Sequence, residues 1–330
     1  MYEAAVCVSR MGVNAFAVAS VEEGIRLRRF GISGEILILG YTDPERAKEL
    51  CGYDLTQTLI DYPYARLLNQ QHKAVKVHVK VDTGMHRLGF GKGEADRIAH
   101  VFSMKYLKVC GIYTHLCAAD SLEAEDVRFT KQQIGSFYGL LEKLKERGIA
   151  IPKVHIQSSY GFLNYPELPC DYVRAGIALY GVLSAPGDRT RLELDLRPVL
   201  SLKSKVVLIR KIRTGESVGY GRAFTAERDS RIAVLPLGYG DGLPRNLSCG
   251  RAQAVIRGQR VPVIGRICMD QLIVDITDAH GIFVGDTATF IGWDGSMEAT
   301  APDLADQGGT ITNELLSRLG GRLTRTAAGM

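Results

Sequence analysis

The chain has 330 residues, 46% of them hydrophobic and 23% charged, a balance typical of a soluble globular protein. Its net charge of +5 is small and the basic residues are scattered, which argues against a nucleic-acid partner. No apolar run approaches the roughly 20 residues that span a bilayer, and the first residues lack the pattern of a signal peptide. The seven cysteines form no C-x-x-C pair, which favours free thiols in a reducing cytoplasm over a disulfide framework or a metal site.

Short β-rich runs alternate with helical patterns from residue 14 to about residue 180. The predicted strands are Ala15–Ala19, Ile36–Leu39, Thr58–Ile60, Val75–Val81, Val109–Thr114, Val154–Ile156 and Asp171–Val173. The predicted helices are Val21–Phe30, Pro44–Cys51, Tyr64–Lys73, Ala95–Phe102 and Ala124–Arg147. This alternation predicts a parallel α/β fold, and seven repeats favour a TIM-type (β/α)8 barrel that lacks one of its eight strands.

The composition changes after about residue 190, where glycine- and proline-rich turns and β-rich runs replace the long helices. Strands are predicted at Val199–Ile209, Arg231–Pro236, Ala254–Val255, Val261–Ile264, Gln271–Asp275 and Thr287–Ile291. A helix is predicted near Thr312–Leu319, with Thr312 as its N-cap. The sequence therefore predicts two domains, an α/β barrel over residues 1–190 and a mostly β domain over residues 191–330.

The first segment that carries chemistry is residues 80–89, K-V-D-T-G-M-H-R-L-G, which follows an alternating strand. Barrel enzymes place their active sites at the carboxyl ends of strands. Alone, a lysine and an arginine there are more often surface charges, but the whole segment resembles the motif K-x-D-T-G-M-x-R-L-G of the alanine racemase family. The resemblance implies that Arg87 contacts the substrate carboxylate and the phenolic oxygen of pyridoxal phosphate (PLP). It also matches Lys80 to a lysine that is carbamylated in many members.

Further segments match the same family in its order. By resemblance, His115 in G-I-Y-T-H lies beside the cofactor ring, although a lone histidine after a strand is more often a core residue. Ser159 in H-I-Q-S-S would bind the phosphate, and many members have asparagine where this chain has Ser158. The backbone N–H groups of Gly176 and Ile177 would bind the phosphate as well.

Arg174, in the segment V-R-A-G-I, would face the pyridine nitrogen of the cofactor. Many members have proline where this chain has Ala175. Because arginine keeps its proton, it leaves the ring nitrogen unprotonated and makes the ring a weaker electron sink. That property suits a racemase, since it suppresses side reactions such as transamination.

The second predicted domain carries three more matches. Tyr220 in V-G-Y-G resembles the base that removes the α-proton of the L-enantiomer; out of context, a tyrosine before glycine is more often a turn residue. A phenol with a pKa of about 10 needs neighbouring positive charge to act as a base at neutral pH. Tyr239 would line the path of the substrate, and the backbone of Met269 would meet the substrate carboxylate. In the family these residues reach the cofactor of the opposite subunit, which implies a homodimer with shared sites.

The segment I-T-N-E at residues 311–314 aligns where alanine racemases carry the tyrosine of P-Y-E beside the cofactor phosphate. The smaller amide of Asn313 leaves space and offers a hydrogen bond, which favours serine over alanine as substrate. The chain thus resembles the serine/alanine racemases of vancomycin-resistance clusters, which commonly carry an N-terminal membrane domain. We expect the intact form to racemise serine at least as well as alanine, for the supply of D-amino acids to peptidoglycan. The alternative is that Asn313 only starts a helix.

No segment matches the family's V-K-A-x-A-Y-G-H-G, whose lysine bonds PLP and acts as the base on the D-face. The family helix that follows it corresponds to Met1–Met11. Either Met1 is an internal methionine of a longer product, or the gene is truncated and the product binds PLP weakly. Racemisation by two bases needs a proton-transfer group on each face of Cα, so we expect little or no activity from the chain as written.

Two other classes of PLP protein remain as alternatives. An amino-acid decarboxylase can have the same two-domain plan, but it pairs the ring nitrogen with a carboxylate rather than with an arginine such as Arg174. A non-catalytic PLP-binding protein of the single-barrel type lacks the β domain that residues 191–330 supply here.

Overall fold

The computed structural model describes residues 2–327. The chain forms two compact units that exchange short segments. The first unit contains Met1–Ala175 and Arg189–Glu193, and the second contains Gly176–Asp188 and Leu194–Met330. Among the described residues, no helix combines the length and the apolar character needed to cross a membrane.

The first unit is a parallel sheet with helices between its strands. Its helices are α1 (Tyr2–Arg10), α2 (Val21–Arg29), α3 (Ala47–Gly52), α4 (Tyr62–Gln70), α5 (Ala95–Phe102), α6 (Ala124–Glu146) and α7 (Ser159–Asn164). Its strands are β1 (Ala15–Val18), β2 (Glu35–Ile38), β3 (Thr56–Leu59), β4 (Val75–Asp82), β5 (Phe90–Gly91), β6 (Leu107–Tyr113) and β7 (Lys153–His155). The strand order is β1-β2-β3-β4-β6-β7, with β5 paired to the end of β4. The predicted parallel α/β fold is confirmed.

The strand predicted at Asp171–Val173 is wrong. This stretch makes two separate backbone hydrogen bonds, from Asp171 N to Val154 O at 2.7 Å and from Arg174 N to Gln157 O at 3.0 Å. Two isolated bonds do not make a ladder, so the segment lies beside β7 without forming a strand. The other six predicted strands are confirmed, and the outer strands of the sheet are β1 and β7.

Strand β4 shows how the sequence builds the site. Its valines alternate along the strand and are buried: Val75, Val77, Val79 and Val81. His78 and Lys80 lie on the opposite face and are buried as well. Burial on both faces is typical of a strand in a parallel sheet. One face of β4 therefore packs as apolar core while the other brings ionisable side chains into the interior.

The second unit is an antiparallel sheet with two short helices. Its strands are β8 (Leu202–Lys205), β9 (Leu208–Ile212), β10 (Ser217–Val218), β11 (Phe224–Thr225), β12 (Ser230–Leu235), β13 (Gln253–Ile256), β14 (Gln259–Ile264), β15 (Leu272–Asp275), β16 (Thr287–Asp294) and β17 (Met297–Ala299). The main sheet has the order β17-β16-β13-β14-β15-β12-β9, with β8 paired to β16, while β10 and β11 form a separate pair. The predicted mostly β second part is confirmed.

The single strand predicted at Val199–Ile209 is divided into β8 and β9. Between them, Val206 N–H donates to Asp286 O and Val207 N–H donates to Val234 O, both within 3.0 Å. The chain changes partners at this point, because β8 pairs with β16 and β9 pairs with β12. Alternation of side chains cannot reveal such a change of partner, since the apolar run continues through it.

Two short helices, α8 (Ala301–Gln307) and α9 (Thr312–Arg318), end the second unit. Helix α8 was not predicted; Thr300 caps it by accepting a hydrogen bond from Asp303 N. The predicted N-cap of α9 is wrong, because Ile311 occupies that position and Thr312 is the first helical residue. The buried hydroxyl of Thr312 instead donates to Ser184 O at 2.9 Å.

We predict that Gly34→Ala destabilises the chain more than Gly31→Ala. Both glycines have a φ near +80°, so either alanine costs about 1 kcal/mol for its left-handed backbone. A Cβ on Gly31 meets nothing within 4 Å, whereas a Cβ on Gly34 would lie 2.0 Å from Asn14 O, which accepts the first hydrogen bond of β2 from Glu35 N. Urea denaturation should show an extra loss of about 1–3 kcal/mol for G34A. Equal losses would contradict the close approach of Gly34 to Asn14.

Candidate active site

The loop after β4 is shaped by Asp82, the last residue of that strand. Its carboxylate accepts hydrogen bonds from Gly84 N at 2.9 Å and from His86 N at 3.0 Å. Gly89 closes the loop with a φ of +124°, and a Cβ there would lie 2.7 Å from Asp82 N. The motif residues Asp and Gly therefore build a tight turn that presents Arg87, which is exposed at the carboxyl end of the strand.

Lys80 is buried on β4 close to two other cations. Burial, together with the positive charges of Arg87 and Arg174, lowers the pKa of its ammonium to about 8, and the opposing effect of Asp82 is included in that value. Its Nζ lies 5.9 Å from the centre of the Tyr113 ring. A substantial fraction of Lys80 is therefore uncharged at slightly alkaline pH, which makes the amine nucleophilic.

Arg174 is fixed by four hydrogen bonds. Its Nη1 donates to His155 Nδ1 at 2.7 Å, and its Nη2 donates to Thr114 O at 2.8 Å and to Ile156 O and His115 Nδ1 at 3.2 Å. Burial lowers the pKa of its guanidinium to about 10, so the group remains charged at neutral pH. The result is a cation that neither rotates freely nor loses its proton.

His115 is a neutral neighbour of these cations. Burial lowers the pKa of its imidazole to about 4, and the charges of Arg174, Arg87 and Lys80 act in the same direction. The end of the sheet therefore carries excess positive charge from two arginines and a lysine, with a neutral imidazole among them. Such a site can bind a carboxylate, a phenolate or another small anion.

A chain of histidines lies behind Arg174, and the sequence did not reveal it. His155 Nε2 lies 2.9 Å from His78 Nδ1, and His78 Nε2 lies 2.8 Å from Glu35 Oε1. His155 begins the segment H-I-Q-S-S, and His78 shares its strand face with Lys80. Those two positions were the available signals; nothing in the local sequence distinguishes Glu35.

The predicted phosphate-binding serine of the first unit lies at the start of α7. Ser158 is the N-cap of this helix, and its hydroxyl accepts a hydrogen bond from Gly161 N at 3.4 Å. Ser159 is the first helical residue and is buried. The position where many family members have asparagine is therefore used here to cap the helix.

In the second unit, Tyr220 lies between two glycines with left-handed backbones, Gly219 with a φ of +74° and Gly221 with a φ of +67°. These conformations turn the chain sharply after β10 and leave the tyrosine 67% exposed. Tyr220 and Met269 share a surface groove, which is lined by Gly219, Tyr220, Cys268, Met269, Asp270 and Gln271. Asn313 is not among these lining residues.

Tyr239 is tied to the same segment by backbone hydrogen bonds. Tyr239 N donates to Cys268 O at 3.0 Å, and Gly240 N donates to Met269 O at 2.8 Å. The side chains of Tyr239 and Met269 are 41% and 53% exposed. Of the predicted residues in this unit, Tyr220, Tyr239 and Met269 are thus brought together on one surface.

The remaining predicted residues of the second unit lie around residues 176–188 and α9. Gly176 precedes a single helical turn whose first residue, Ile177, is buried. Ser184 Oγ donates to Asn313 Oδ1 at 2.7 Å, and its carbonyl accepts from both N and Oγ1 of Thr312. This pairing fixes the amide of Asn313 with its NH₂ group directed away from Ser184.

Comparison with known proteins places these observations in one family. The family sequence models described as "Alanine racemase, N-terminal domain" and "Alanine racemase, C-terminal domain" match residues 1–184 and 199–327. An "Amino-acid racemase" of Enterococcus faecalis is 57% identical, and a "Serine/alanine racemase" of Enterococcus gallinarum is 41% identical; each alignment covers 98% of this chain and 45% of the relative. The chain thus spans about half the length of these curated relatives.

Solved structures agree with the sequence comparison. The crystal structure of alanine racemase from E. faecalis superposes with a TM-score of 0.89 at 31% sequence identity, covering 98% of this chain and 86% of that one. Both family models and this likeness extend over the two units described above. The chain therefore belongs to the alanine racemase family.

Proposed function

We propose that the protein interconverts the L and D forms of serine and of alanine with PLP as its cofactor. The observation that carries the proposal is the immobilised guanidinium of Arg174 beside Lys80 and Arg87. This excess of positive charge at a strand end suits a substrate carboxylate and the anionic oxygens of PLP. The names of the Enterococcus relatives support an amino acid as substrate.

The residues present fit the ring and phosphate of PLP. Arg174 offers only N–H donors, which suits an unprotonated pyridine nitrogen, since that atom is an acceptor. We assign the phenolic oxygen to Arg87, and the phosphate to the hydroxyl of Ser159 and the N–H groups of Gly176 and Ile177. The lysine that bonds PLP in the family has no match in residues 1–330, so the proposal gives this chain binding, orientation and one proton-transfer group.

PLP, when bound, withdraws electrons from the substrate Cα and so acidifies its proton. We assign removal of that proton from the L-enantiomer to the phenolic oxygen of Tyr220, acting as the base; the flanking glycines leave this side chain exposed. We assign the substrate carboxylate to Arg87 and to the backbone of Met269, and the path of the substrate to Tyr239. The exposure of Tyr220, Tyr239 and Met269 supports a homodimer in which these residues serve the partner's site.

Asn313 is proposed to set the substrate preference. Ser184 holds its amide oxygen, so its NH₂ group is available as a donor to a serine hydroxyl.

We propose that the products supply D-amino acids for peptidoglycan precursors and that the reaction takes place in the cytoplasm.

The proposed activity can be tested on protein purified from its own cells through a C-terminal tag, whatever its first residue. We expect racemisation of L-serine and L-alanine, measured by chiral chromatography. Tyr220→Phe removes the proton acceptor on one face and should lower kcat at least about 100-fold. The control is Tyr53→Phe, because Tyr53 is far along the sequence from every residue assigned to the site. PLP bound without racemisation by the unaltered protein would instead support a non-catalytic PLP-binding protein.

Substitution of Asn313 by tyrosine should shift the preference from serine to alanine. The larger ring removes both the space and the amide donor, so we expect the serine-to-alanine ratio of kcat/KM to fall about 10–200-fold. Ser317→Ala, an exposed change on the same helix, is the control. An unchanged ratio in N313Y would mean that Asn313 only starts the helix.

We propose that Lys80 reacts with CO₂ to form a carbamate. The reaction needs the uncharged amine, which the lowered pKa of about 8 provides, and it places a negative charge beside Arg87 and Arg174. With ¹³C-labelled bicarbonate, NMR should show a carbamate signal that grows as the pH rises toward that pKa. The signal should persist in Lys76→Arg, a control on the same strand, and vanish in Lys80→Arg. Absence of the signal from the unaltered protein across this range would refute carbamylation.

A further inference from the structure

Two buried histidines connect Arg174 to the carboxylate of Glu35. His155 and His78 are each 1% exposed, and their rings lie 5.1 Å apart between centroids. Glu35 is the first residue of β2, His78 lies within β4 and His155 is the last residue of β7. The connection therefore runs from the amino end of one strand to the carboxyl ends of the sheet, where the proposed site lies.

The donors and acceptors along this connection have one consistent arrangement. A guanidinium only donates, so His155 Nδ1 must accept from Arg174 and carries no proton. Burial and the charge of Arg174 lower the pKa of His155, which keeps the ring neutral with its proton on Nε2. That proton is directed to His78 Nδ1, which must accept it. The proton of His78 is then on Nε2, which lies 2.8 Å from Glu35 Oε1.

Glu35, at the end of the connection away from Arg174, remains an ionised hydrogen-bond acceptor. Burial acts to raise the pKa of its carboxyl, but the contacts with His78, Tyr172 and Lys153 lower it below its ordinary value. Tyr172 donates its hydroxyl to Oε2 at 3.1 Å, and Lys153 Nζ lies 3.7 Å from the same oxygen. Lys153 also donates to the Tyr172 hydroxyl. His78 Nε2 lies 2.8 Å from Oε1 without forming a hydrogen bond, so the attraction there is mainly that of a charge for an N–H dipole.

We propose that Glu35 is a positioning residue for Arg174 and acts through His78 and His155. The carboxylate selects the Nε2–H tautomer of both imidazoles, so that His155 always presents a bare Nδ1 to the guanidinium. The orientation of Arg174 is thereby set from the opposite end of the sheet. The link to catalysis rests on the proposed function, because it assumes that Arg174 faces the cofactor; the tautomers themselves are a property of this chain alone.

Removal of the Glu35 carboxylate would change the proton position first on His78 and then on His155. In Glu35→Leu, the buried Nε2–H of His78 loses the negative charge beside it, which favours transfer of its proton to Nδ1. That hydrogen would oppose the Nε2–H of His155. The conflict ends if His155 also moves its proton to Nδ1, but Arg174 then loses its hydrogen-bond acceptor.

The test is long-range ¹H–¹⁵N NMR of protein labelled with ¹⁵N-histidine and free of cofactor. The chain has seven histidines, and single substitutions assign His78 and His155. At neutral pH we expect both to be uncharged Nε2–H tautomers in the unaltered protein. In E35L we expect His155 to populate the Nδ1–H form. Glu35→Asp should restore the original tautomers, and Glu142→Gln, which alters an exposed ion pair with Lys145, should leave them unchanged.

Cofactor-loaded protein provides a second measurement. If Arg174 is misoriented in E35L, kcat should fall about tenfold and recover in E35D. An imidazolium or an Nδ1–H tautomer at either histidine of the unaltered protein would overturn the inference without any variant. Unchanged tautomers in E35L would overturn it too. The expected tautomers in a protein that racemises nothing would leave the connection intact and refute the proposed function instead.

Discussion

The charge of Arg174 is the constraint on which the candidate active site depends. Its partly buried guanidinium donates to two backbone carbonyls and two imidazoles, which hold it in one orientation. None of these four partners is a carboxylate, so the positive charge is held in place without being neutralised. Burial is the main cause of the lowered pKa values of His115 and Lys80, and the charge of Arg174 lowers both further. An anionic ligand, or a negative group made on Lys80, would relieve the repulsion among these cations.

The two units contribute different kinds of surface. The first unit offers charged side chains near the carboxyl ends of its parallel strands: the buried Lys80, the hydrogen-bonded Arg174 and the exposed Arg87. The second unit offers exposed side chains on tight glycine turns, such as Tyr220 beside Gly219 and Gly221. Rigid charge suits the binding of an anion, whereas an exposed phenol on a sharp turn suits contact with a group that the unit itself does not hold. The proposed dimer uses both surfaces.

Features with a local cause could be predicted from the sequence. Strand β4 was predictable because its valines alternate, and the loop to Gly89 because its aspartate and glycines act on neighbouring residues. Features that depend on residues far away in the chain could not be predicted from the sequence. The stretch Asp171–Val173 resembles a strand but lacks a continuous ladder, and the hydroxyl of Thr312 is taken by Ser184, far away in the chain. The connection between Glu35 and Arg174 runs through two histidines and joins residues that are 139 positions apart in the sequence. No local sequence pattern predicts it.

The exchange of segments between the units has a consequence for how the chain can be divided. The backbone passes from one unit to the other after Ala175, returns after Asp188 and passes over again after Glu193. A single cut anywhere in this region leaves one fragment without a piece of its own fold. One cut therefore cannot leave both halves intact, and a recombination event that moved one unit into another gene would need to carry residues 176–193 with it. Such an arrangement favours inheritance of the two halves as one cassette.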